Sequence, residues 1–212
     1  MTAATAPAEV ERFDRAERWL HWANASLFLV LLATGMTLYV GPLSALVGRR
    51  VLVKDVHVIA GVALPVPLLA AYAGSWRVAL RRDVRRLARW SRDDGRWLRS
   101  LGRRGRAGTG KFNAGQKLNA TFVAACIPLM LVTGAIMLWF DPFPLDIRTG
   151  ATFVHDWLAI ALLVTIVGHI GKALADPVAL RAMRHGTVPE AHVQRHHPRW
   201  WAELQRERPP GP

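Results

Sequence analysis

The sequence predicts an all-α integral membrane protein, a bundle of four transmembrane helices. Three observations carry this. Four stretches are long and almost free of charge, the basic residues are confined to particular segments between them, and four histidines stand near the ends of the apolar stretches. A helix needs roughly 20 mostly apolar residues to cross a hydrocarbon core, and each stretch reaches that length. Helices buried in a water-soluble core suit neither these lengths nor the near absence of charge.

The first span is placed at about residues 20–42, inside the interval from Arg18 to Arg49, which holds no charged side chain. The second, about 56–76, is bracketed by Asp55 and Arg77 and carries Pro65 and Pro67. The third, about 118–140, lies between Lys117 and Asp141 and contains Pro128. Proline removes an intrahelical hydrogen bond, so spans two and three should bend. The fourth, about 152–174, has Asp156 near its start and Lys172 near its end. Both can reach interfacial water, the lysine by snorkelling. Residues 1–212 are expected to form a single transmembrane domain.

A net charge of +13 and a pI near 11.4 would suit nucleic acid, but the charge is segregated rather than mixed, which argues against that partner. The loop 77–117 holds fourteen Arg and Lys residues, and Arg12, Arg15 and Arg18 precede the first span. The tail 176–212 is basic too, whereas the two other loops carry only Arg49, Arg50 and Lys54, and then Arg148. The positive-inside rule puts both termini and the long loop in the cytoplasm. The basic loop suits anionic lipid headgroups or an acidic partner surface.

Polar Met1 to Arg18 precedes a span too long for a signal-peptide core, so the first span is expected to be a retained anchor. The single cysteine, Cys126, excludes a disulfide framework and an iron–sulfur cluster, and no C-x-x-C-H motif is present for covalent haem attachment. No internal repeat is apparent. The Arg/Gly-rich stretch Arg99–Gly110 is expected to be a mobile loop.

Alternating spans place His21 at the cytoplasmic start of span one and His57 at the outer start of span two. His155 lies near the outer end of span four, with His169 fourteen residues further in. At 1.5 Å and 100° per residue, that interval rises about 21 Å and returns to within about 40° of the same face. Matching depths pairs His57 with His155 and His21 with His169. Intramembrane ionisable residues are functional candidates by default. Two neutral imidazoles at one depth form the axial ligand set of a six-coordinate haem iron suited to electron transfer. Two such pairs predict two noncovalently held b-type haems. Other metals fit less well, because no carboxylate or thiol accompanies the histidines. Gly35, Gly61, Gly168 and Gly171 either leave room for a flat ligand or serve ordinary helix packing.

Two motifs remain. His185, His192, His196 and His197 lie in the polar tail, in a run that continues Pro198-Arg199-Trp200-Trp201. The spacing of His192 and His196 could serve a metal; an interfacial or partner-docking segment with Trp200 and Trp201 at headgroup level is the preferred reading. Before span three stands Gly110-Lys111-Phe112-Asn113-Ala114-Gly115-Gln116-Lys117. Asn113 and Gln116 could donate hydrogen bonds to a quinone carbonyl while Gly115 lets backbone approach the ring. Equally, the motif could be a polar cap opening a helix.

The Lys-Phe-Asn-Ala-Gly-Gln-Lys segment, the order of four spans, the fourteen-residue interval from His155 to His169 and the stretch His196-His197-Pro198-Arg199-Trp200 resemble the gamma subunit of respiratory formate dehydrogenases. The likeness covers roughly Phe13 to Leu204. That subunit is a di-haem cytochrome b of the bacterial inner membrane, related more loosely to the cytochrome b subunits of membrane hydrogenases. The resemblance implies that His57 and His155 hold the haem nearer the periplasm, and His21 and His169 the one nearer the cytoplasm. Asn113, Gly115 and Gln116, with His169 beside them, would line a site for menaquinone or ubiquinone. An iron–sulfur subunit and a molybdenum or tungsten catalytic subunit would supply the electrons. The long Arg-rich loop departs from the pattern near the quinone segment. A hydrogenase-type cytochrome b is the alternative within this class; a transporter that uses histidines as substrate ligands is the alternative outside it.

Overall fold

The structure is a computed structural model that describes residues 8–103 and 108–207. Residues 104–107, the middle of the stretch expected to be a mobile loop, lie outside the described residues, as does the end of the tail. In chain order the elements are β1 (Glu9–Glu11), α1 (Arg15–Tyr39), α2 (Gly41–Val47), α3 (Arg50–Ala63), α4 (Val66–Ala73), α5 (Arg77–Ala88) and α6 (Arg92–Arg99). There follow α7 (Ala114–Leu138), α8 (Leu145–Leu174), α9 (Pro177–His185), β2 (Thr187–Pro189), α10 (Glu190–His196) and α11 (Pro198–Glu207).

Four helical segments are long and apolar enough to cross a membrane: Arg15–Tyr39, Arg50–Ala73, Ala114–Leu138 and Leu145–Leu174. Each starts before the expected span, because polar first turns extend the helices beyond their apolar stretches. The first ends at Tyr39; Gly41 and Pro42 then start α2 as a separate short helix, closed by Gly48 in the left-handed conformation. The second is interrupted between α3 and α4 at Leu64 and Pro65, where the Leu64 amide bonds back to the Gly61 carbonyl at 3.2 Å. Pro65 has no N–H to continue the ladder. Pro128, by contrast, is carried inside α7 without a break in the helix.

The chain divides into two compact units, one of Trp19–Arg77 with Phe122–Lys172, the other of Met1–Arg18, Val78–Thr121 and Ala173–Pro212. The first, the span unit, holds most of the length of the four apolar helical segments. Leu29, Ile59, Val132 and Val164 leave more than half of their surfaces uncovered. Apolar surface of that extent matches acyl chains as solvent, and intrahelical bonding satisfies the backbone there. Within the unit α3 packs on α1, with Leu31 3.8 Å from where a Cβ at Gly61 would sit, and the Trp19 and Trp76 rings lie 5.4 Å apart.

The second, the polar unit, contains elements that the expected loop 77–117 and tail 176–212 did not specify. β1 and β2 form a two-stranded antiparallel ribbon, Val10 opposite Val188. Val10, Ala182, Val188, Val193 and Trp200 make its core, with Phe13, Trp201 and Leu204 packed around them. Gly186 turns the chain from α9 into β2 at φ +93°, a left-handed conformation that glycine adopts without strain. Its carbonyl accepts from the amides of Arg12 and Phe13 at 2.7 and 3.0 Å. Trp200, expected at headgroup level, is instead 2 % exposed in this core, since an indole beside three valines and an alanine excludes more water there than at a surface.

Candidate haem-binding site

The span unit brings the four intramembrane histidines together two by two. The rings of His57 on α3 and His155 on α8 lie 6.4 Å apart, centre to centre. Those of His21 on α1 and His169 on α8 lie 6.0 Å apart. Imidazoles that bind one metal from opposite sides need ring centres about 6 Å apart, from about 2 Å per metal–nitrogen bond and about 1 Å from each nitrogen to its ring centre. Both pairs meet that requirement. No cluster of three or more His, Cys, Asp or Glu that could hold a metal ion by itself occurs among the described residues. Paired imidazoles alone are the donor set of a macrocycle that supplies the other four ligands.

Local sequence fixes the first pair tightly. Thr34 on α1 lies 2.8 Å from His57 Nδ1, and Thr133 on α7 lies 2.9 Å from His155 Nδ1. Each hydroxyl donates its one proton to a carbonyl a turn back, Val30 or Leu129, at 2.7 Å. The hydroxyl oxygen therefore accepts, and Nδ1–H of each histidine donates. That leaves Nε2 as the lone-pair nitrogen of both rings. The next residue is glycine in both helices. A Cβ at Gly35 would stand 3.3 Å from His57 Cε1, and one at Gly134 3.4 Å from His155 Cε1.

The second pair is built differently. His21 stands edge-on to Trp22 with ring centres 5.2 Å apart. Asn24, one turn on, donates to the Leu20 carbonyl at 3.1 Å, while its side-chain oxygen is buried with no partner among the described residues. A Cβ at Gly168 or Gly171 would meet nothing within 4 Å, so helix packing does not require either glycine, whereas one at Gly35 would crowd the His57 ring.

The segment 109–117 belongs to the polar unit and is held along its length. His197 Nδ1–H donates to the Gly110 carbonyl at 2.7 Å, the Arg199 amide to that of Thr109 at 3.2 Å, and Arg12 Nη2 to that of Lys111 at 3.3 Å. Lys111 Nζ, 3 % exposed, bonds Glu17 at 2.6 Å and Asp83 at 2.7 Å. Lys117 Nζ bonds both carboxylate oxygens of Asp94, at 2.9 and 3.0 Å, and the Arg89 carbonyl at 2.8 Å. Burial pushes His197 down to about 3, helped by the Arg12 guanidinium. Burial likewise lowers Arg12 to about 10. For Asp83 burial acts upward, but hydrogen bonds with Glu17 and Lys111 and the Lys111 charge outweigh it and hold the carboxyl below its usual range.

Asn113 and Gln116 have a defined structural task. The Gln116 amide donates to Asn113 Oδ1 at 2.9 Å and the Asn113 amide to Gln116 Oε1 at 3.0 Å, a reciprocal cap on α7. The same arrangement opens α1 with Asp14 and Glu17, and α6 with Ser91 and Asp94. The side-chain oxygens are thereby engaged; the side-chain amide nitrogens take no part in the cap. Gly115 lies under Trp97, whose ring atom would be 3.0 Å from a Cβ there. Three of the tail histidines lie together: His197 is buried on Gly110, and the His192 ring centre is 6.1 Å from that of His197 and 4.6 Å from that of His196, whereas His185 is exposed at the end of α9.

Sequence reasoning did not single out Thr34, Thr133 or Gly134. A weak signal was present: Thr-Gly occurs inside apolar sequence as Thr34-Gly35 and Thr133-Gly134, but also as Thr109-Gly110 and Thr149-Gly150, so the dipeptide alone does not mark the site.

Apolar membrane-spanning helices carrying facing imidazoles define a membrane electron-transfer protein of the cytochrome b class. The family model for prokaryotic cytochrome b561 matches residues 12–186, and the chain belongs to that family. As a member it is a helical membrane protein that binds haem b. It is 28 % identical over 210 residues to the cytochrome b556(fdo) subunit of formate dehydrogenase from Escherichia coli (strain K12), covering 93 % of this chain and 94 % of that one. To the nitrate-inducible cytochrome b556(Fdn) subunit of the same organism it is 30 % identical over 103 residues, 47 % and 48 % of the two chains. To the formate dehydrogenase cytochrome b556 subunit of Haemophilus influenzae it is 24 % identical over 191 residues, 86 % of this chain and 78 % of that one.

Proposed function

We propose that this chain is the cytochrome b subunit of a respiratory formate dehydrogenase, carrying two haems b in the bacterial inner membrane. His57 and His155 are the axial ligands of the haem nearer the periplasm, His21 and His169 of the one nearer the cytoplasm. The observation that carries the reading is the pair of ring separations, 6.4 and 6.0 Å, built on one helix whose two histidines are fourteen residues apart. When bound, the haems supply one-electron redox chemistry. The protein's own part is to offer neutral imidazoles at two depths and to keep water from the helix interior.

Electrons enter from an iron–sulfur subunit that is itself fed by a molybdenum or tungsten catalytic subunit, and leave to menaquinone or ubiquinone. Relatives named as formate dehydrogenase subunits support that assembly. The segment at Asn113, Gly115 and Gln116 is the quinone site. Its support is the fixed shape that buried Lys111 and Lys117 impose on both sides, together with amide nitrogens not spent on the helix cap. The fourteen basic residues of 77–117 support a cytoplasmic location for that segment and for both termini.

A dithionite-reduced minus oxidised spectrum, with haem counted per chain by pyridine haemochrome, tests the reading. Two b haems per chain are expected. One haem, or none in folded protein made with ample haem, overturns it.

A further inference from the structure

The two histidine pairs differ in one respect that ligation alone does not need. Both rings of the His57–His155 pair donate to a threonine hydroxyl and face a glycine, from two different helices. Among the described residues no hydrogen bond fixes the ring of His21 or His169. An imidazole whose Nδ1–H donates to a hydrogen-bond acceptor is oriented, held in one tautomer and made a more basic ligand through its other nitrogen. A more basic ligand favours the oxidised state of an iron it binds, and so a lower reduction potential.

We infer that Thr34 and Thr133 are positioning residues that set the His57–His155 site below the His21–His169 site in reduction potential. Each Thr-Gly pair acts as one device. The threonine accepts the Nδ1 proton, and the absent Cβ of the glycine lets the ring edge come close enough to give it. The two sites share the same ligand type, so this difference in hydrogen bonding gives the electron path a downhill direction from the first pair to the second. The inference rests on the assignment of the four histidines as haem ligands.

The test is a potentiometric titration of the α-band in the detergent-solubilised full chain, with low-spin EPR spectra of the same samples. In wild type the two haems should titrate separately. T34V combined with T133V keeps the shape and removes both hydroxyl acceptors. Although the Leu31 and Met130 carbonyls beside the two rings remain, it should move the lower midpoint to more positive potential and alter one EPR signal, leaving the other haem unchanged. T34S with T133S, which retains both hydroxyls, should restore the wild-type values. If the double valine variant binds too little haem, T34V and T133V singly make the same comparison with one hydrogen bond removed.

Haem-replete valine variants with both midpoints unmoved, or with the higher midpoint moved instead, overturn the inference and leave the ligand assignment standing. A wild-type chain without two b haems overturns the ligand assignment itself, and the inference falls with it. Those two failures are told apart before any variant is made.

Discussion

Lys111 Nζ lies 2.7 Å from Asp83 Oδ2, and both side chains are almost wholly withdrawn from water. Glu17, at 2.6 Å on the same ammonium, completes a three-membered buried cluster that ties the start of α1 and the middle of α5 to the segment before α7. Removing one partner of such a cluster costs about 3–5 kcal/mol, because the remaining charges stay buried and unpaired. Lys111→Met should therefore lower the midpoint of thermal unfolding in detergent strongly. Adding Asp83→Leu and Glu17→Gln should recover most of the loss. A triple variant no more stable than Lys111→Met would show that the cluster contributes something other than charge balance.

The pairing of histidines predicts a pattern of losses rather than a single loss. His57→Ala and His155→Ala should each remove the same haem and leave the other spectrally intact, while His21→Ala and His169→Ala should each remove the second. Reduced-minus-oxidised spectra of the four variants read this directly. If His57→Ala and His21→Ala abolished one and the same haem, the pairing seen in the ring separations would not be the ligand pairing.

Two glycines in the span unit should answer differently to alanine. At Gly35 the added methyl would be 3.3 Å from His57 Cε1, whereas at Gly168 it would meet nothing within 4 Å of protein. Gly35→Ala should push the imidazole aside by a few tenths of an ångström and weaken haem retention on heating. Because a gap beside a haem can itself be occupied, the informative reading is which haem is affected. Gly35→Ala should disturb only the haem lost in His57→Ala, and a disturbance of the other would place α1 in a different register.

Acid should loosen the polar unit through the buried His197 imidazole. His197 is pushed down to about 3 by burial, against an unfolded value near 6.5. Between those values the unfolded state binds the extra proton, so stability rises with pH. The contribution is whole above about pH 6.5 and is lost progressively as pH falls towards 3. Hydrogen exchange of the amides of Trp201 and Arg199, corrected for intrinsic rates, should accelerate between pH 7.5 and 5 in wild type. His197→Gln should flatten that dependence; an equally steep slope in the variant would assign the acid sensitivity elsewhere. Asp83 titrates below its usual range and enters only at lower pH, whereas burial and the hydrogen bond with Asp83 raise Glu17 to about 7. Between about pH 7 and 4.5 the folded state therefore binds that proton and Glu17 opposes the loss; His197→Gln isolates the histidine's share.

Much of this was legible in the chain, and the physics explains which parts. Four spans follow from length and absence of charge, a constraint that lipid imposes without reference to packing. The histidine pairs follow from topology together with one fourteen-residue interval. A polar cap at Asn113 was legible as one of two readings, while the same spacing in Asp14 with Glu17 and Ser91 with Asp94 went unread. What the chain did not disclose is the partner of each polar group over long separations. Lys111 finds Glu17 across 94 residues, and His197 finds Gly110 across 87. No local pattern encodes such meetings. Trp200 was misplaced for the same reason, because an indole near basic residues looks the same whether it meets a headgroup or the valines of a ribbon far away in the chain.

Equal intervals on α1 and α8 make the span unit a pair of matched rulers. From His21 to Gly35, and from His155 to His169, there are fourteen residues in each; His21 meets His169 at one end, and at the other Gly35 and His155 both stand beside His57. One residue inserted into either interval would swing its far end by about 100° and lift it by about 1.5 Å. A lipid-facing leucine can be exchanged for valine at little cost, but a change in the spacing between the marks takes a histidine out of register with its partner. Substitution in this region leaves the rulers matched; insertion or deletion does not.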